Sequence, residues 1–194
     1  MLTLFLAPGS SSMAPHIALH EVGAAFTPRQ VSLRRRENRS AEFLALNPEG
    51  KVPLLLTEGG PLTEVAAILF WLARRHPQAG LLPMGDALAE AQVISWMSFL
   101  AATVHPARRQ GVDHALQVWS LAEGRLGGAP YALGATCSVA DIHLFRLFWR
   151  FKGSAALEPG AFPRLTAHHD RMMARPAVRR VLRDEAAMGY ELPA

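Results

Sequence analysis

An α/β module followed by an all-helical one is what this 194-residue chain predicts, and three observations carry the prediction. Short apolar runs of strand length alternate with helical periodicity as far as His76. A break rich in Pro and Gly follows over 77–85. Beyond it every apolar stripe has helical spacing. The expected organisation is therefore an α/β domain over 1–76, a linker over 77–85 and a helical domain over 86–194. Half of the residues are hydrophobic, enough for one large core or two small ones.

Leu2-Thr3-Leu4-Phe5-Leu6 has the length and composition of a buried strand, and Pro8-Gly9 breaks it. Ser11 and Ser12 stand where a helix begins. Pro15 falls in its first turn, where a missing N–H costs nothing, and Ala14, Ile17, Ala18 and Val22 share one side. A serine here is either an N-cap or a donor to an anion held at the helix N-terminus, where free N–H groups and the macrodipole favour negative charge. Gly23 stops this helix, and Phe26 to Val31 alternates weakly, as a second strand does. A right-handed crossover then places the first helix N-terminus at the C-terminal edge of the first strand, where ligands of open sheets gather.

Ser40 to Leu46 reads as a short helix ended by Asn47-Pro48-Glu49-Gly50. Pro53 cannot donate to a ladder and marks the start of a third strand, and Glu58-Gly59-Gly60 turns into a short strand at Pro61-Leu62. Thr63 is the expected N-cap of a helix that turns Val65, Ile68, Leu69 and Leu72 inward and ends at Arg74-Arg75-His76. In the helical domain, Val93, Trp96, Met97, Leu100 and Val104 form one stripe, and Val112, Leu116, Trp119 and Leu126 another. His105-Pro106 is the expected break between them. Ser138-Val139-Ala140-Asp141 is a capping box for the most apolar helix of the chain, expected at the centre of its domain. Phe162 to Ala174 and Pro176 to Glu185 complete the set.

Composition narrows function. A single cysteine, Cys137, excludes an internal disulfide framework and any Cys-x-x-Cys pair, and it reads as a packed residue. The +4 charge comes from arginines spread along the chain. The dense run Arg34-Arg35-Arg36 lacks interleaved aromatics, so no nucleic-acid partner is expected. No apolar run of membrane length and no leader is read, which gives an expectation of a cytoplasmic protein without a membrane partner. No metal-ligand spacing is read either, and His168-His169 is expected at the surface.

Pro8 to Leu19, Asn47-Pro48-Glu49-Gly50-Lys51-Val52-Pro53 and Ser138 to Asp141, in this order and spacing, resemble the glutathione transferase family, most closely the bacterial beta class, over essentially the whole chain. The resemblance implies a thioredoxin-like domain followed by an all-helical one, with glutathione as co-substrate and no metal. It implies that Pro53 is cis and that the backbone of Val52 pairs with the cysteinyl part of glutathione as an added strand. Glu64 is implied to engage the γ-glutamyl amino group, the backbone of Val65 the γ-glutamyl carboxylate, and Lys51 or one of Arg34 to Arg36 the glycyl carboxylate. His105 falls where the class places a histidine near the thiol, and reads alternatively as a charge at a helix C-terminus. A homodimer is implied as well.

Two departures from the class matter. Ser11 replaces its cysteine, which removes mixed-disulfide chemistry and leaves Ser11 or Ser12 to donate to the glutathione sulfur. Val65 replaces a serine, so one hydrogen bond to a carboxylate is missing, which weakens affinity about ten-fold or more. The expected function is activation of glutathione as a thiolate and its addition to a small electrophilic or hydrophobic substrate. An isomerase or lyase using the same thiolate, and a non-catalytic protein that binds a partner through this fold, are the alternatives.

Overall fold

The computed structural model describes residues 1–153, 155 and 157–191. It divides into two compact units, residues 1–76 together with the segment from Pro176, and Pro77–Arg175. The expected division at residue 86 is thus displaced in two ways. The Pro/Gly-rich stretch belongs to the second unit, where Leu81 and Leu82 are buried and the Leu81 carbonyl accepts from the Val139 N–H at 3.0 Å. The last helix belongs to the first.

The first unit runs β1 (Leu2–Leu6), α1 (Met13–Glu21), β2 (Phe26–Gln30), α2 (Ala41–Leu46), β3 (Leu54–Thr57), β4 (Gly60–Thr63) and α3 (Val65–Arg75), and α9 (Pro176–Met188) joins it. The sheet order is β2-β1-β3-β4, with β1 and β2 parallel and the other pairs antiparallel. This is the thioredoxin-like arrangement the resemblance implies. Alternation along β1 sends Leu4 and Leu6 to one face, while Phe5 meets Val31, Phe43 and Leu54 on the α2 side. Pro28 is tolerated because β2 is an edge strand.

One apolar side was expected for α1, yet every residue from Met13 to Leu19 is buried. The helix packs on α3 and also on α9, so a second face is covered, His16 included. In α9 the buried positions are Val178, Val181 and Glu185, a single stripe at helical spacing that contains a carboxylate.

The second unit holds α4 (Ala87–Phe99), α5 (His105–Ala107), α6 (Val112–Leu126), α7 (Val139–Lys152) and α8 (Pro163–Met173). His105-Pro106 does not break the helix as expected. A π turn spans Leu100–Val104, the His105 N–H reaches the Leu100 carbonyl, and Pro106, which has no N–H to place, follows inside a helical run from Ala87 to Gln110. That run reaches a mean hydropathy of 1.3, so by length and composition alone it is long enough to cross a membrane, which the sequence reading did not anticipate. In α6 the buried face is Ala115, Val118, Trp119, Ala122 and Leu126, and Val112 is exposed.

Every residue of α7 from Val139 to Phe148 is buried, as its apolar character predicts. Its capping box forms. Asp141 Oδ2 accepts from the Ser138 N–H at 2.8 Å and from its hydroxyl at 2.9 Å, while Oδ1 accepts from the Ala132 N–H at 2.7 Å and faces His168 Nε2 at 2.9 Å. His168 and His169 are therefore not at the surface: both are buried. Cys137 is buried with its sulfur 3.9 Å from that of Met172.

Candidate functional site

Strand register brings three loops to one end of the sheet in the first unit. Phe5 pairs with Leu54 and Leu54 with Thr63, so the segment after β1, the segment before β3 and the segment after β4 leave the sheet side by side. These segments carry Ser11 and Ser12, Lys51 to Pro53, and Glu64 with Val65. The Val52-Pro53 peptide is cis.

The three serines of the first segment are used differently. Ser12 is fully buried and its hydroxyl is saturated: it accepts from the Ala7 N–H at 3.1 Å, donates to the Ala7 carbonyl at 3.1 Å and lies 2.7 Å from Ser10 Oγ. It caps nothing, contrary to the sequence expectation, because position N3 of α1 is Pro15, which has no N–H to offer. The expected free N–H groups are also consumed. Ser12 N–H donates to Ser10 Oγ, Met13 N–H to the Ser10 carbonyl and Ala14 N–H to the Ser11 carbonyl. Ser11 alone of the two predicted serines is partly exposed, and its hydroxyl donates to the Val52 carbonyl at 3.1 Å.

The second segment is held by Asn47, whose Nδ2 donates to the Lys51 carbonyl at 2.8 Å, and by Asn38, which donates to the Gly50 carbonyl at 2.7 Å. Gly50 has φ of +63°, and a Cβ there would lie 2.9 Å from the Asn38 backbone carbonyl oxygen, so the position favours glycine. Lys51 is exposed and pairs with Glu49 at 2.7 Å. In the third segment β4 extends through Thr63, so the N-cap of α3 is Glu64 and not Thr63. Glu64 is exposed and has φ of +68° and ψ of 129°, a conformation that costs about 1–3 kcal/mol and that structures retain mostly at functional sites. No side chain caps α3, and Val65 is its first residue. Among the arginines, Arg35 pairs with Glu37 at 2.9 Å and the Arg34 N–H donates to Glu191.

His105 belongs to the second unit. Desolvation of its ring, then Arg146 and Arg109, hold its pKa down to about 4, so it carries no charge at pH 7 for a helix C-terminus.

The sequence reading missed Glu185. This fully buried carboxylate accepts from the Gly9 N–H at 2.7 Å through Oε2 and from His16 Nδ1 at 2.9 Å through Oε1, tying the serine-bearing loop and α1 to α9. Its place on the Val178, Val181 stripe was the available signal.

Residues 1–74 match the model of the glutathione S-transferase N-terminal domain, and residues 112–185 that of the C-terminal domain. Glutathione S-transferase GstA of Escherichia coli O157:H7 is 30% identical over 95% of this chain and 98% of its own length. A maleylacetoacetate isomerase of Pseudomonas aeruginosa is 29% identical over 88% of this chain and 90% of its own. Among solved structures, a sphingomonad glutathione S-transferase complexed with glutathione aligns at a TM-score of 0.85 and 33% identity, covering 95% of this chain and 98% of that one. The bacterial beta class enzyme of Sphingomonas chungbukensis aligns at 0.82 and 35%, covering 94% and 98%. With its fold, its loop arrangement and these relatives in agreement, the chain belongs to the glutathione S-transferase family.

Proposed function

We propose that the chain binds glutathione along the Val52 backbone and activates its thiol through Ser11, for addition to a small electrophilic or hydrophobic substrate. The observation that carries this reading is the Ser11 hydroxyl on the Val52 carbonyl at 3.1 Å. It sets a hydroxyl donor at the main-chain edge expected to hold the cysteinyl unit, and that carbonyl is the acceptor expected for the cysteinyl N–H. Binding therefore exchanges partners: Val52 takes the ligand N–H, and the freed Ser11 hydroxyl turns to the sulfur. Ser12, with its hydroxyl saturated, keeps a structural role.

A hydroxyl hydrogen bond favours the thiolate over the thiol and lowers its pKa from about 8.5. The thiol proton passes to solvent. The sulfur lone pair then forms the S–C bond, and a leaving group departs with its electron pair or, in an addition, the product carbanion takes a proton from solvent. Glu64, Val65 and Lys51 are assigned to the two ends of the tripeptide, with the α3 N-terminus favouring a carboxylate. A cytoplasmic homodimer completes the reading, and sedimentation showing a monomer removes that part.

A second reading, glutathione-dependent isomerisation, is favoured by the relative named maleylacetoacetate isomerase. It uses the same thiolate, which adds to the substrate and leaves again after bond rotation.

Calorimetric titration with reduced glutathione near neutral pH tests the proposal. Saturable binding with proton release by the native chain, and loss of the release in Ser11→Ala, is the expected result. Absence of binding at millimolar ligand overturns it and leaves a non-catalytic protein that uses this fold to bind a partner.

A further inference from the structure

His16 and His20 lie four residues apart on α1, one turn from each other on the same helix face. Asp184 of α9, in the same compact unit, faces them, and one donor atom from each of the three lies within 4.8 Å of the other two. The rings pack closely, with centroids 5.3 Å apart, and Phe26 stands edge-on to both. His16 is buried, whereas His20 and Asp184 are partly exposed along a groove that Pro28, Arg180 and Met188 also line.

The three residues are of metal-ligating types, and one of them is already held by a hydrogen-bonded carboxylate. Metal-bound histidines nearly always give their second ring nitrogen to a carboxylate, which fixes the ring and sharpens the donor. His16 has such a partner: Nδ1 donates to Glu185 Oε1 at 2.9 Å, so Nε2 is the atom left for an ion. Glu185 is itself fixed by the Gly9 N–H at 2.7 Å. A hydrogen-bonded, buried carboxylate behind a buried imidazole, with a second imidazole and a carboxylate in front, is more organisation than two surface histidines require.

We propose that His16 Nε2, His20 and Asp184 bind one divalent transition-metal ion of the zinc and cobalt class, with Glu185 orienting His16. Two imidazoles and one carboxylate suit these ions, whereas magnesium and calcium take oxygen donors. Donors around one such ion lie roughly 3–3.5 Å apart for bonds near 2.0–2.2 Å, so binding draws the donors together. The two partly exposed side chains make this movement while His16 stays fixed. Asp184 presently lies 3.6 Å from Arg180, an exposed pair of little strength, and the ion replaces that guanidinium as its partner. Solvent from the groove fills the remaining coordination positions.

The test titrates chelator-treated native chain with Co²⁺ followed by visible absorption, then with Zn²⁺ and Mg²⁺ as competitors. His20→Ala and Asp184→Asn serve as variants because both residues are partly exposed, and circular dichroism confirms that each is folded. The expected result is one Co²⁺ per chain, displaced by Zn²⁺ and not by Mg²⁺, with affinity at least about ten-fold lower in each variant. Three results overturn the proposal: no saturable Co²⁺ uptake below millimolar concentration, uptake unchanged in both variants, or displacement by Mg²⁺ as readily as by Zn²⁺.

Discussion

The starts of α1 and α7 read alike in the sequence, each a serine ahead of an apolar helix, and they are built in opposite ways. At α7 the residue three beyond Ser138 is Asp141, and side chain and backbone close on each other as a capping box. At α1 the residue three beyond Ser12 is Pro15. The Ser12 hydroxyl finds no N–H there, turns back to Ala7, and becomes part of the core. The two serines differ in what the third helical residue offers: at Ser138 a carboxylate that accepts from its N–H and its hydroxyl, at Ser12 a proline with no N–H to give. At α7 the serine and its carboxylate are consumed by structure, with Ala132 and His168 drawn in as well. At α1 the inward turn of Ser12 leaves its neighbour Ser11 as the one partly exposed hydroxyl of the loop.

The largest effect expected from this contrast is at α7. Asp141→Ala leaves the Ala132 and Ser138 donors and His168 without their shared acceptor, and its cost is about 3–5 kcal/mol in urea denaturation. Ser12→Ala strands the buried Ala7 N–H and costs about 1–3 kcal/mol by the same measurement. Ser11→Ala, with solvent able to satisfy the Val52 carbonyl, changes stability by about 0.5 kcal/mol or less. If Ser11→Ala proves as costly as Ser12→Ala, the division of labour between the two serines is wrong.

What was legible in the sequence follows the range of the interactions. The order of elements through α3 and the Ser138 to Asp141 box rest on residues within a few positions of one another and appear in the structure, and the third strand begins at Leu54, one residue after the expected Pro53. Thr63 failed as an N-cap because strand pairing with Leu54 claims it, which no local pattern reports. The histidines were misjudged for a related reason. His168, expected at the surface with His169, is buried because Asp141, 27 residues away, receives it. Polar residues buried by distant partners look like surface residues until the partner is known. Among the candidate residues, the difference between Ser11 and Ser12 was not legible, because it turns on one hydroxyl being saturated by Ala7 and Ser10.

The tie from Glu185 to Gly9 and His16 spans 176 and 169 residues. During synthesis the serine-bearing loop leaves the ribosome early and waits for its anchor. At about 5–20 residues per second, Glu185 follows Gly9 by roughly 9–35 s. The whole of the second unit is translated in that interval, so the half of the protein made first is the half completed last.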